Sequence, residues 1–303
     1  MVRVLICDHV ELERLSLGPE ITVDYRPGIT RDELLAVAGE YDALIIRSRT
    51  KVDREVLDRA RRLKLVARPG TGLDNVDVSY AKEKGVAVVN SPESLVEAVA
   101  EHVILLMLAL SRKLVEADVG TKSGRWEKNA LVGREMKGRT LGIVGFGRIG
   151  RRIAEIGRTL GMAVLAYDVI PLSSDLLSSV GARAVSLDEL FSSSDYITLH
   201  VPMTPETAGM VGTARLERMK RRSVIVNTSR GGVIDEAALS RALSAGEVGG
   251  AALDVFETEP PTGDILKAPN ILLTPHIGGQ TEEAQTNAIV VIGEKVRAFF
   301  SKS

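Results

Sequence analysis

The chain has 303 residues, 45% hydrophobic and 26% charged, with a formal net charge of −1. That is enough chain for two domains with cores of their own, and the near-neutral balance gives no electrostatic case for a nucleic-acid or membrane partner. The single cysteine, Cys7, cannot form an intrachain disulfide, which fits a reducing cytoplasm; it reads as a small core residue of the first strand.

The N-terminus enters "VRVLIC" directly, with no signal-peptide pattern. Over the first ninety residues, apolar β-rich runs ("VRVLIC", "ITVDY", "DALIIR", "LKLVAR", "VAVVN") alternate with charged helical stretches ("TRDELLAVAGE", "DREVLDRARR", "VSYAKEKG"). This is the βαβ rhythm of a doubly wound parallel sheet. The rhythm breaks at "SPESLVEAVAEHVILLMLALSRKLVEADVG", where one long helix is expected from Ser91 or Pro92 to Gly120. Its apolar run Val103 to Leu110 is too short to span a bilayer and reads as a buried helix or a subunit interface. A second βα series follows: "RTLGIVGFGRIG", "MAVLAYD", "SDYITLHVP", "RSVIVNTS", "GGAALDVF" and "NILLTPHIGG" supply strands, and the last helix runs from about Thr281 to the C-terminus. The expected fold is α/β: two doubly wound parallel-sheet domains with a cleft between them.

"GIVGFGRIG" places Gly145, Gly147 and Gly150 in a GxGxxG pattern after an apolar strand and at the opening of a helix. That context makes the pattern a dinucleotide fingerprint. Gly145 allows the tight turn, Gly147 lets backbone approach a pyrophosphate, and Gly150 permits close helix–strand packing. Arg148 and Ile149 begin the helix, whose N–H groups would face the phosphates. Asp168 ends the next strand, near the spacing of about 20 residues for the acid that grips the ribose hydroxyls. A carboxylate there repels a 2′-phosphate, so the expected cofactor is NAD.

Three polar residues follow later strands: Arg230 after "SVIVNTS", Glu259 after "AALDVFET" and His276 after "NILLTP". Each alone has a bland reading, a surface cation or a structural histidine. Together they fit hydride transfer between nicotinamide and a carbonyl carbon. His276 can exchange a proton with the substrate oxygen near neutral pH, Glu259 can hold the imidazole, and the Arg230 fork can grip a carboxylate. His102 reads as a packing or hinge residue. His9 and His200 show no partner, and no spacing of His, Cys or Asp suggests a metal site.

"RPGTGLDNVD", "VGFGRIG", "HVPMTPET", "NTSRGGVIDE", "GAALDVFETEP" and "TPHIGG" run in the order found in the D-isomer-specific 2-hydroxyacid dehydrogenases, and the chain resembles that family over nearly its whole length, most closely the branch that oxidises D-3-phosphoglycerate. The resemblance implies a flavodoxin-like substrate domain and a Rossmann NAD-binding domain inserted into it. On that layout residues 1–97 plus 281–303 form the first and 98–280 the second. It implies catalytic roles for Arg230, Glu259 and His276. It places cofactor contacts on Thr71, Gly145, Gly147, Arg148, Ile149, Gly150, Asp168, Val201, Pro202, Thr228, Ser229, Asp254, His276, Gly278 and Gly279, with Asp254 on the nicotinamide carboxamide. It also implies a cytoplasmic homodimer through the cofactor domain, in the region of Val103 to Leu110 and the Trp126 loop.

Arg47 and Arg49 stand at the end of the third strand, in "RSRT". Two guanidinium groups there suit a phosphate ester, and in the phosphoglycerate branch the matching segment supplies phosphate-binding arginines. The bland alternative is a pair of surface arginines facing acids such as Asp53 or Glu55. Backbone around Gly70 and Gly72 of "PGTG" would help hold the substrate carboxylate beside Arg230. The expected reaction is oxidation of D-3-phosphoglycerate to 3-phosphohydroxypyruvate, at the entry to serine synthesis. Two departures stand out. The chain stops at Ser303, so serine feedback through a C-terminal regulatory domain is not expected. Glu93, Ser94, Leu95 and Val96 stand where several relatives carry Asn or Gly near the substrate. That leaves a glyoxylate or hydroxypyruvate reductase as the second reading. A dinucleotide-sensing scaffold, like the family's transcriptional corepressors, is the third.

Overall fold

The structure is a computed structural model and describes residues 1–301. The chain divides into two compact units, Met1–Val96 with Gly279–Ser303, and Glu97–Gly278. The sequence reading set the two crossings one and two residues later.

The first unit is a five-stranded parallel sheet of β1 (Val2–Ile6), β2 (Ile21–Tyr25), β3 (Ala43–Ile45), β4 (Leu65–Arg68) and β5 (Ala87–Asn90), in the order β2-β1-β3-β4-β5. That order reverses between β1 and β3, and in such sheets the strand ends beside the reversal are where ligands bind. The inner strands β3 and β4 are apolar and buried up to Arg68 because both faces are covered, whereas the edge strand β2 carries Thr22 and Asp24. Leu5, Cys7, Leu44, Ile46 and Val66 pack toward one face, on Leu34, Val56, Leu57 and Ala81 of α1 (Arg31–Val37), α2 (Arg54–Arg59) and α3 (Val78–Glu83). Their alternates Val4, Ile6, Ala43, Ile45, Leu65 and Ala67 pack toward the other, on Ile289, Ile292 and Val296 of the C-terminal helix Glu282–Phe300. The end of the chain therefore completes the core that its beginning starts. Side-chain caps open these helices: Thr30 and Glu33 form a reciprocal capping box on α1, and Asp53, Asp77 and Thr281 cap α2, α3 and the C-terminal helix. Lys302 and Ser303 lie outside the described residues, so the last helix is established only to Phe300.

The second unit opens with α4 (Val96–Ser111) and α5 (Leu114–Lys122), preceded by a 3₁₀ turn at Pro92–Leu95. The single helix expected to Gly120 is therefore broken. The Ser111 carbonyl accepts from Arg134 N–H at 2.9 Å, and Lys113 adopts a left-handed φ of 50°. A loop far along the chain takes the carbonyl that the next helical turn needed. By length and mean hydropathy, 1.8, Pro92–Ser111 could cross a membrane, yet Ala98, Val103, Leu106 and Met107 are core residues here.

Seven parallel strands follow: β6 (Thr140–Val144), β7 (Ala163–Tyr167), β8 (Ala182–Ala184), β9 (Tyr196–Leu199), β10 (Val224–Asn227), β11 (Gly250–Leu253) and β12 (Ile271–Leu273). Helices α6 (Arg148–Thr159), α7 (Ser174–Val180), α8 (Leu187–Ser193), α9 (Thr213–Leu216) and α10 (Glu236–Ser244) connect them. The order is β12-β11-β10-β9-β6-β7-β8, with its reversal between β6 and β9. The edge strand β8 was not anticipated, because "ARA" carries a charge at its centre and no apolar run.

Candidate active site

In the second unit the reversal point carries the glycine turn. Gly145 has φ of 91°, and a Cβ there would sit 2.3 Å from the His200 carbonyl oxygen and 3.1 Å from Val201 Cγ1. Only glycine lets the turn nest against the end of β9. A Cβ on Gly150 would lie 2.3 Å from Gly145 O, so α6 starts tight against the turn. Gly147 has nothing within 4 Å of its added Cβ, leaving open space at the N-terminus of α6, with Arg148 and Ile149 as its first residues. Asp168 follows β7 and reaches back to the turn: Oδ2 accepts from Phe146 N–H at 2.6 Å and Oδ1 from Ile170 N–H at 3.0 Å. Pro202 belongs to a loop closed by Thr207, whose hydroxyl donates to Pro202 O at 2.6 Å. The turn, Asp168 and the 200–202 segment thus form one constellation.

A second group lies at the ends of β10, β11 and β12. Asn227 organises the loop that bears Arg230. Its amide nitrogen donates to Arg230 O at 2.7 Å, while its Oδ1 accepts from Ser229 N–H and Oγ at 3.0 and 2.8 Å. Thr228 Oγ1 is buried without a hydrogen-bond partner. Gly231 then presses on the next loop: a Cβ there would sit 1.9 Å from the carbonyl carbon and oxygen of Phe256. Glu259 follows within a few residues. Both its oxygens reach His276 Nδ1, at 3.1 and 3.0 Å, and the two side chains are about half exposed, 53% for His276 and 43% for Glu259. With Nδ1 held by the carboxylate, Nε2 is the nitrogen left to meet a substrate.

His276 has φ of 55°, an uncommon conformation for a non-glycine residue. Its loop is fastened by Asp254, which is 1% exposed. Asp254 Oδ1 accepts from Thr274 Oγ1 at 2.6 Å and Ile277 N–H at 2.8 Å, and Oδ2 accepts from Gly278 N–H at 2.8 Å. His102 Nε2 lies 3.5 Å from Asp254 Oδ1 and 3.3 Å from Thr274 Oγ1. The Thr274 proton goes to the carboxylate, so His102 Nε2 is the donor in this cluster. Burial opposes ionisation of Asp254, but hydrogen bonds from His102, Thr274, Ile277 and Gly278 outweigh it and hold the carboxyl below its usual range. His102 therefore packs and also braces the loop of His276. His200 pairs with Thr198 Oγ1 at 2.8 Å and His9 faces Tyr25 OH at 3.4 Å.

The first unit holds the remaining candidates. Gly70 has φ of 130°, and its N–H donates to Ser91 Oγ at 2.8 Å. Asn90 Nδ2 donates to Thr71 O at 2.6 Å, fastening the loop that also contains Gly72. Arg47 donates from its guanidinium to Gln285 Oε1 of the C-terminal helix, and burial pushes that guanidinium below its usual pKa. Arg49 is half exposed yet tied to its neighbours: Nε donates to Asp8 Oδ1 at 3.0 Å, Nη1 to Ile29 O at 3.2 Å and Nη2 to Cys7 O at 2.9 Å. Neither arginine meets Asp53 or Glu55, which pair with Arg31. Glu93 pairs with Lys295 at 2.6 Å, and Leu95 fills the space beside Gly279, 3.2 Å from its added Cβ. Glu93 and Leu95 thus have partners inside this unit, whereas Ser94 Oγ is buried without a hydrogen-bond partner. Among the described residues no group of three His, Cys, Asp or Glu side chains could hold a metal ion.

Comparison with known proteins decides the lineage. The model of the "D-isomer specific 2-hydroxyacid dehydrogenase, NAD binding domain" matches residues 104–278. This chain belongs to that family. It is 42% identical to a D-3-phosphoglycerate dehydrogenase of Archaeoglobus fulgidus over 97% of this chain and 56% of the relative, so it spans about half the length of that relative. It is 43% identical to a hydroxypyruvate reductase of Thermotoga maritima, over 91% of this chain and 90% of the relative. A glyoxylate reductase structure from Paecilomyes thermophila superposes with a TM-score of 0.92 at 32% identity, covering 99% and 96% of the two chains. The NAD-binding domain of the family accounts for the glycine turn and for Asp168 at the end of β7. The orphaned Thr228 hydroxyl and the open space at Gly147 fit a bound dinucleotide, which would supply a partner to the one and fill the other.

Proposed function

We propose that the chain is an NAD-dependent dehydrogenase of D-2-hydroxy acids whose substrate is D-3-phosphoglycerate, oxidised to 3-phosphohydroxypyruvate in the first step of serine synthesis. The observation that carries the reading is the His276–Glu259 pair at 3.0 Å, an imidazole oriented by a carboxylate and offering its other nitrogen. NAD, when bound, accepts the hydride at its nicotinamide ring. Gly145, Gly147, Arg148, Ile149 and Gly150 would hold its pyrophosphate, and Asp168 its ribose. Val201, Pro202, Thr228, Ser229, Asp254 and Gly278 of the same unit would complete the set. His276 Nε2 takes the hydroxyl proton during oxidation and returns it during reduction, while Glu259 steadies the imidazolium. Arg230 grips the substrate carboxylate, and Asn227 keeps the Arg230 loop in place.

Arg47 is the residue proposed to read the phosphate. Its guanidinium is desolvated, its partner Gln285 is neutral, and among the described residues no carboxylate lies within ion-pair distance. A desolvated guanidinium whose side-chain partner is neutral suits an external anion, with the nearby Asp8 charge balancing it only in part. The commitment of Arg49 to Asp8 and two carbonyls leaves one arginine where the sequence suggested two. That favours the second reading, a hydroxypyruvate or glyoxylate reductase. NADH oxidation with 3-phosphohydroxypyruvate, hydroxypyruvate and glyoxylate in parallel separates them. A phosphorylated substrate ahead by a hundredfold in kcat/KM, about 2.7 kcal/mol, supports the first reading, and parity supports the second.

We further propose a cytoplasmic homodimer. Leu105, Leu114, Val115, Val119, Trp126 and Val132 of the second unit are all more than half exposed, from 51% to 84%. They fall within 28 consecutive residues (105 to 132), and an apolar surface of this kind suits burial against a copy of itself.

A further inference from the structure

We infer that Asp8 and Asn75 are positioning residues for the anion-binding guanidinium of Arg47, and that Arg49 is the peg of this assembly rather than a second ligand. The inference rests on the phosphate reading of Arg47 given above. Its support lies in how the turn after β3 is held. Both backbone groups of Arg47 are taken by side chains remote in sequence. Its N–H donates to Asp8 Oδ2 at 2.6 Å, and its carbonyl accepts from Asn75 Nδ2 at 2.7 Å. The same Asn75 nitrogen donates to Thr50 O at 2.5 Å, closing the turn from its far side. Asp8 lies just past β1, beside the reversal of strand order, and its side chain is 5% exposed.

A buried carboxylate is costly, and an ion pair repays that cost poorly compared with apolar packing. The arrangement makes sense as geometry. Asp8 divides its two oxygens between Arg49 Nε and the Arg47 backbone, so the Arg49 side chain locks the carboxylate and the carboxylate locks the turn. Arg49 fixes three of its five donors on Asp8 Oδ1, Ile29 O and Cys7 O. With Nε engaged, the side edge of its fork is closed to a bidentate anion. Lysine cannot reproduce three diverging hydrogen bonds.

The sign of one substitution separates geometry from charge. If Asp8 acted only as a nearby negative charge, Asp8→Asn would strengthen binding of a phosphorylated substrate. If it positions Arg47, the same change weakens it. The readout is the ratio of kcat/KM for 3-phosphohydroxypyruvate to that for hydroxypyruvate, which loss of folded protein alone does not move. Asp8→Asn and Arg49→Lys are each expected to lower this ratio about tenfold. Asn75→Ala, which alters no charge, is expected to lower it too and carries the test if Asp8→Asn does not fold. A ratio unchanged or raised in these variants, with Arg47→Ala lowering it, overturns the positioning roles alone. A ratio unchanged in Arg47→Ala overturns the phosphate reading and the inference with it.

Discussion

Asp254→Asn probes the fastening of the loop that bears His276. The carboxylate accepts three short hydrogen bonds, from Thr274, Ile277 and Gly278, and a longer one from His102. An asparagine offers one acceptor oxygen and one NH₂. If its oxygen takes the Oδ1 position, the buried Gly278 N–H faces another donor, at a cost of about 1–3 kcal/mol. The bonds at the other oxygen fall from charged to neutral strength, losing roughly 0.5–1.5 kcal/mol each. Relief of the carboxylate's own burial offsets part of this, leaving about 2–4 kcal/mol of destabilisation at pH 7. Urea unfolding of wild type and variant, followed by far-UV circular dichroism, measures it. The pH dependence adds a sign. The native Asp254 carboxyl titrates below its unfolded value of about 3.9. Its contribution is therefore full above that value and is lost as pH falls through the native pKa. The gap between the two proteins should narrow on acidification below about pH 4 and stay constant from 6 to 8. A difference under about 1 kcal/mol at pH 7 would refute the view of Asp254 as the anchor of the His276 loop.

Gly231→Ala places a Cβ 1.9 Å from the Phe256 carbonyl, a backbone contact that no rotamer relieves. The loops of Arg230 and Glu259 must part, and displacement on the order of 1 Å should lower kcat/KM about a hundredfold; wild-type kinetics would contradict this. Glu259→Gln should lower kcat by roughly 10²–10⁴ with little change in NADH affinity, as stopped-flow binding and turnover would show. Burial pushes the Cys7 thiol up to about 12, so iodoacetamide at pH 8 should label the protein only in denaturant; labelling of the native protein at a comparable rate would oppose that. Val119→Asp should shift sedimentation from dimer to monomer, and an unchanged profile would move the interface elsewhere.

By itself, the sequence determined the parts whose cause is local. Apolar runs such as "VLIC" and "ALII", alternating with charged helical stretches, marked the strands of a parallel sheet covered on both faces. Gly145 and Gly150 marked a turn that only glycine can make, and Arg230, Glu259 and His276 were placed after successive strands, where β10, β11 and β12 put them. Tertiary structure decided what depends on partners distant in the chain. The helix expected to Gly120 stops at Ser111 because Arg134, 23 residues on, takes its carbonyl. "RSRT" shows two equivalent arginines; their difference arises because Asp8, 41 residues before Arg49, captures one and Gln285, 238 residues after Arg47, meets the other. Asp254 looked like a cofactor ligand alone, yet His102, Thr274 and Gly278 make it the anchor of the loop that bears His276. Apolar periodicity and turn chemistry act over a few residues and are written in the sequence, whereas a polar group's role is set by which buried partner satisfies it, and that partner is chosen only when the sheets assemble.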